Sequence, residues 1–178
     1  MTDLVFDCST NLVSGFKGET TNKQGPGVQF NTGSPVIGNG VDTITFYISN
    51  PDEISGTTSA YHYASDGTLR NTSIAVDNST VGTGMTTITF TFSTPLSIAT
   101  DDCIVAYPSQ GTSMQSTSGT TSCVSNSAFA EFKVYPGSPS NPLIINTSYS
   151  YYGTVSYSSA PPPPSSDSLL FPPPVAWI

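Results

Sequence analysis

Two segments of this chain place apolar and hydroxyl-bearing residues in alternation, and a period of two is the period of a β-strand with one buried face. In residues 41–48, Ile44, Phe46 and Ile48 fall on one side and Thr43, Thr45 and Tyr47 on the other. In residues 87–92 the pattern is cleaner, with Ile88, Phe90 and Phe92 set against Thr87, Thr89 and Thr91. A helix would scatter these residues around its circumference, whereas a half-buried strand sorts them. Asn50-Pro51 is expected to end the first run and Thr94-Pro95 the second, because proline has no N–H to give a ladder.

Weaker runs of the same kind occur at Leu4-Val5-Phe6, at Val28-Gln29-Phe30 and at residues 102–107, 129–135 and 149–157. In the last of these Tyr151, Gly153, Val155 and Tyr157 alternate. Residues 59–64 and 69–76 flank Ser65-Asp66-Gly67, and an Asp-Gly step supplies the positive φ of a tight hairpin turn. Residues 109–122 are so rich in Ser, Thr and Gly that a long surface loop is expected there. The 28 Ser and 25 Thr, against only 9% charged residues, show that polarity is carried by hydroxyls, and strong helix formers are scarce. About eight or nine strands are expected, the number used by a two-sheet antiparallel sandwich of jelly-roll type. The fold class is therefore all-β.

A chain of 178 residues supports one domain of ordinary size. The sandwich is assigned to residues 1–159 and an extended Pro-rich tail to residues 160–178. Prolines 161–164 favour a polyproline II spacer. Beyond them Leu169, Leu170, Phe171, Val175, Trp177 and Ile178 form an uncharged apolar end, read as the partner-binding anchor.

Twelve carboxylates against Lys17, Lys23, Lys133 and Arg70 give a net charge of −8. Nucleic acid and anionic lipid both call for clustered cations, so neither is an expected partner. The opening residues have no basic stretch before an apolar run, and no segment approaches about eighteen apolar residues, so neither an export signal nor a membrane span is expected. A charge-poor, hydroxyl-rich β chain nevertheless suits an extracellular setting. A virion component, assembled inside a host and released by lysis, satisfies both.

The chemistry-bearing residues are few. His62 is the only histidine and lies between Tyr61 and Tyr63, which argues for a structural role and against a catalytic dyad or a multi-histidine metal site. Glycoside hydrolysis needs two carboxylates about 5 to 10 Å apart. Asp101-Asp102 and Asp52-Glu53 are sequence neighbours in expected turns, so they are read as solvated turn formers. No catalytic residue and no cofactor is assigned; a structural calcium on one of these pairs, or on Asp66, is the one metal option kept open. Cys8, Cys103 and Cys123 leave an odd thiol, with a Cys103–Cys123 disulfide or three buried thiols as the alternatives. Exposed tyrosines among Tyr149, Tyr151, Tyr152 and Tyr157 would make glycans the alternative partner. The sequons at Asn71, Asn78 and Asn146 match the roughly three that chance supplies in a chain this rich in Ser and Thr.

Residues 34–107 combine Ser34-Pro35-Val36-Ile37-Gly38, the run from Asp42 to Phe46, Asp66-Gly67-Thr68, the run from Thr87 to Phe92, and the run from Asp101 to Tyr107. This stretch resembles the jelly-roll modules of viral surface proteins (decoration, minor capsid or fibre) and of prokaryotic cell-surface proteins. The resemblance implies a sandwich used for assembly or adhesion and implies no catalytic residues; the apolar tail is not part of such a module. The expectation is a non-enzymatic virion structural protein, part of a homo-oligomer or larger assembly, with coat protein or copies of itself as partners. The alternative is an extracellular carbohydrate-binding or adhesion module of a cell surface.

Overall fold

An alternating run needs a cover for its apolar face and partners for its backbone groups, and two packed sheets supply both. A computed structural model describes residues 1–6, 12–17, 25–109, 113–119, 130–132, 150–151 and 153–158. Thirteen strands occur among these residues: β1 (Thr2–Phe6), β2 (Leu12–Lys17), β3 (Gly27–Phe30), β4 (Gly40–Ser49), β5 (Thr57–Tyr63), β6 (Leu69–Thr72), β7 (Val76–Asp77), β8 (Thr86–Ser97), β9 (Cys103–Pro108), β10 (Ser113–Gly119), β11 (Ala130–Phe132), β12 (Ser150–Tyr151) and β13 (Gly153–Ser158). Among the described residues there is no α-helix, only a 3₁₀ turn at Asn78–Thr80, where the Asp77 carboxylate accepts from the Ser79 N–H at 2.9 Å.

Every pairing is antiparallel. The seven-stranded sheet runs β1-β13-β4-β8, and β10 takes over the free side of β4 at Ile48 and Ser49, bringing β2 and β12 with it. The six-stranded sheet runs β11-β3-β9-β5-β6, with β7 continuing along β5 beyond β6. The chain changes sheet at five of the seven connections from β3 to β10, so the two sheets are interleaved along the sequence as in a two-sheet sandwich.

The core lies between the sheets. Leu4, Ile44, Phe46, Ile48, Phe90, Phe92, Leu96 and Val155 enter from the larger sheet, and Val28, Phe30, Ala60, Ile104 and Ala106 from the smaller. Phe46 and Phe90 face each other with ring centroids 6.3 Å apart and planes tilted by 57°. Each large apolar side chain buried here contributes on the order of 1.5 to 3 kcal/mol. The face assignment of β4 and β8 is thus the expected one, with Thr87, Thr89 and Thr91 exposed.

The expected hairpin is β5–β6. Its turn is closed by the Ala64 N–H to Thr68 oxygen bond at 2.8 Å and by the Asp66 carboxylate, which accepts from the Thr68 N–H at 2.8 Å. Gly67 takes φ +86° there, a conformation that side chains rarely adopt. Gly153 is needed for a different reason: a Cβ would run into the Thr45 carbonyl of the neighbouring strand.

Three expectations are corrected. The strand count exceeds eight or nine because β7 and β12 are two residues long and because β2 and β10 lack clean alternation. The stretch expected as one long loop at residues 109–122 contains β10, whose backbone pairs with β2 over six positions. Hydroxyl-rich residues can form a strand when neighbours satisfy the backbone, whatever the side-chain pattern. Thr94-Pro95 does not end β8, which continues to Ser97. The register to β4 slips between the Val41–Leu96 and Thr43–Thr91 pairs, so residues 92–95 bulge and Pro95 needs no ladder bond. Residues 160–178, the apolar anchor included, lie outside the described residues, as do Cys8 and Cys123.

Candidate functional site

Strands β5 and β9 lie side by side in regular register, Ala60 opposite Ala106, Tyr61 opposite Val105, His62 opposite Ile104 and Tyr63 opposite Cys103. Alternation then divides their side chains between two faces. Ala60, His62, Ile104 and, just before β9, Asp102 turn toward the other sheet. Tyr61, Tyr63, Cys103, Val105 and Tyr107 turn away from it and form a second apolar cluster.

On the inner face His62 and Asp102 are each 1% exposed, and His62 Nε2 lies 2.9 Å from Asp102 Oδ2. The same oxygen accepts from the Ala99 N–H at 3.0 Å, and Arg70 Nη1, on a half-exposed side chain, stands 3.7 Å away. Burial holds the His62 imidazole below its ordinary range even though the Asp102 hydrogen bond and charge pull it upward. A neutral imidazole donates from Nε2, leaving Nδ1 as a bare acceptor; among the described residues nothing donates to it.

Asp102 owes its position to the turn before β9. Asp101 takes φ +66° and stays exposed, the Asp102 N–H donates to the Ala99 oxygen at 3.2 Å, and the Phe30 N–H donates to the Asp102 oxygen at 3.0 Å. The expectation of two solvated turn formers therefore holds for Asp101 and is corrected for Asp102. The missed signal was its phase: Asp102 is in step with Ile104 and Ala106, the inward residues of the following strand. His62, expected to be structural, is buried against a partner that sequence reasoning did not find. Asp52 and Glu53 are exposed, with Glu53 at φ +50°.

On the outer face Tyr61 and Tyr107 stack with centroids 4.0 Å apart and planes 8° apart, and the Tyr63 and Tyr107 hydroxyls share a hydrogen bond of 2.6 Å. Burial raises the pKa of all three phenols. Tyr63 is 9% exposed and Tyr107 6%, so of the three rings only the half-buried Tyr61 reaches solvent. Of the tyrosines named as glycan candidates, Tyr157 is half-buried and Tyr151 belongs to β12; Tyr149 and Tyr152 lie outside the described residues.

A second polar node joins β4, β5 and the 3₁₀ turn. Asn50 Nδ2 donates to the Asn78 oxygen at 3.0 Å, and Thr58 Oγ1 donates to Asn78 Oδ1 at 2.7 Å. This buries Asn78 at 1% exposure, while Ser79 and Thr80 of the same sequon, and Asn71 on β6, are exposed.

A histidine oriented by a carboxylate is half of an acid–base relay, but a relay must also reach a substrate. Here the pair is sealed between the sheets, so in this arrangement its chemistry is that of an internal strut. Among the described residues no three His, Cys, Asp or Glu side chains converge on a point where a metal ion could sit. No family model, no curated protein and no solved structure matches the chain.

Proposed function

We propose that this chain is a non-enzymatic structural protein of a virion, a decoration, minor capsid or fibre-type component that works by assembling with coat protein or with copies of itself. The observation that supports this reading most directly is the use made of the His62–Asp102 pair. The chain's only histidine is committed, at 1% exposure, to tying β5 to the turn before β9. On the outer face of β8, the exposed Thr87, Thr89 and Thr91 make an uncharged strip, and depletion of charge is a mark of interface cores. The tail residues Leu169, Leu170, Phe171, Val175, Trp177 and Ile178 are the proposed anchor, on their sequence alone.

The test is immunogold labelling of the source material with an antibody against the chain, followed by truncation after Ser159. Gold at regular positions on particles, lost from particles when the truncated but folded chain replaces the full one, is the expected result. Labelling of a cell envelope that soluble glycans displace would instead assign the protein to carbohydrate binding.

A further inference from the structure

We propose that the first half of β8 is the edge through which two copies of this chain pair, strand against strand, about a two-fold axis. The inference deepens the assembly reading and rests on it.

An open sheet edge invites another chain, and proteins blunt such edges with charges, bulges, prolines or brevity. Among the described residues, the outer strands follow that rule at every edge except one. β1 carries Asp3, β2 Lys17, β7 Asp77 and β11 Glu131, while β6 carries Arg70 together with a register slip, and β12 is two residues long. β8 has twelve residues and no charge. Its second half is blunted by the bulge at residues 92–95 and by Pro95. Its first half, residues 86–91, has neither device.

The backbone of that half points outward at defined places. The Thr91 oxygen accepts from the Ile74 N–H at 2.8 Å, on the side away from β4. Backbone groups alternate sides along an antiparallel strand, so Thr87 and Thr89 also direct their N–H and C=O away from β4. Both side chains are exposed, and among the described residues no strand is hydrogen-bonded to β8 on that side; β6 approaches it, and the chain just after β6 bonds it at Thr91. The Ile74 contact fills the Thr91 position and so limits a newcomer to the stretch before it.

Two features select a second copy as the occupant. Laid antiparallel on itself about Ile88, the strand sets Thr87 opposite Thr89 twice, giving hydrogen-bonded pairs with matched hydroxyl side chains. The chain also carries a net charge of −8, and an uncharged strip is where two copies meet without bringing carboxylates together. Ile74, 60% exposed and held beside Thr91, supplies an apolar contact at the rim. A contact this short is weak in free solution and gains strength from the high effective concentration inside an assembly.

The experiment is sedimentation velocity of the full chain from micromolar to millimolar concentration, with amide hydrogen exchange on the same samples. Expected are a sedimentation coefficient that rises with concentration and exchange at Thr87 and Thr89 that slows with it. The Thr87→Lys/Thr89→Lys variant, altered only at exposed side chains, should lose both effects and keep its melting temperature. Concentration-independent sedimentation and exchange in the unaltered chain would overturn the proposal, and that measurement decides even if the variant folds poorly. Association of a folded variant equal to that of the parent would overturn it too. Particle labelling that persists alongside either result would leave the assembly reading in place and remove this edge alone.

Discussion

Two parts of the sandwich interior are built on different physics. Between β4, β8 and the facing sheet, Ile44, Phe46, Phe90, Phe30 and Ile104 pack without a polar atom among their side chains. At the corner where β5, β6 and the turn before β9 meet, one carboxylate oxygen holds the His62 imidazole, the Ala99 N–H and the nearby Arg70 guanidinium. The apolar part is non-directional, and its contribution grows with the area it hides. The polar corner adds little net energy, since burying charge cancels most of the attraction, but it is intolerant of error. A one-residue slip of β5 on β9 would put His62 on the tyrosine face and leave the Asp102 carboxylate buried without its partner. The apolar layer stabilises the sandwich, and the polar corner selects one register for it.

The largest effect should follow from bringing the logic of the corner into the apolar layer. Phe90→Asp places a carboxylate between the sheets with no cation to meet it, and the expected outcome is loss of cooperative unfolding by circular dichroism. A variant that melts like the parent would mean that the two regions do not differ as argued. Next in size is Asp102→Ala, which removes the shared acceptor and leaves the Ala99 N–H and the buried imidazole without it. A loss of about 1 to 3 kcal/mol for each neutral buried donor left without its acceptor is expected in urea unfolding, and a total loss below about 1 kcal/mol would reduce the corner to the level of a surface ion pair.

The smallest effect is the pH dependence. Because burial lowers the His62 pKa, protons bind the unfolded chain before the folded one. Stability should therefore be unaffected by this group above its ordinary pKa of about 6.5 and should fall as pH drops below it, until folded His62 itself titrates. For one proton the slope cannot exceed about 1.4 kcal/mol per pH unit. Urea midpoints measured through this range should flatten in His62→Gln; an unchanged slope would assign the acid sensitivity to the carboxylates instead.

Much of the apolar part was legible in the sequence. The inward faces of β4 and β8 and the Asp66-Gly67 turn follow from local patterns, because each depends on how a few adjacent residues divide between water and core. The polar corner was only half legible. The single His62 between two tyrosines pointed to a structural role, but its partner lies 40 residues further along the chain. An Asp-Asp pair ahead of a strand is by its local chemistry a turn, and only the phase of Asp102 with Ile104 hinted that one of the two points inward. β10 was hidden for the opposite reason: its Ser and Thr carry no partition signal, and its strand state comes from backbone bonds to segments distant in sequence.

The sequence by itself determined that this chain is a β protein, which side of the runs at residues 41–48 and 87–92 is buried, and where the β5–β6 hairpin turns. Side-chain partition and turn chemistry are local, so they can be read in order along the chain. Only the tertiary structure decided which strands are neighbours, that Asp102 meets His62, that β8 runs on through Pro95, and that among the described residues no strand is hydrogen-bonded to the first half of β8 on the side away from β4. Those outcomes depend on which distant backbone satisfies which, and on what then covers each side chain, and neither is written in any short stretch of residues.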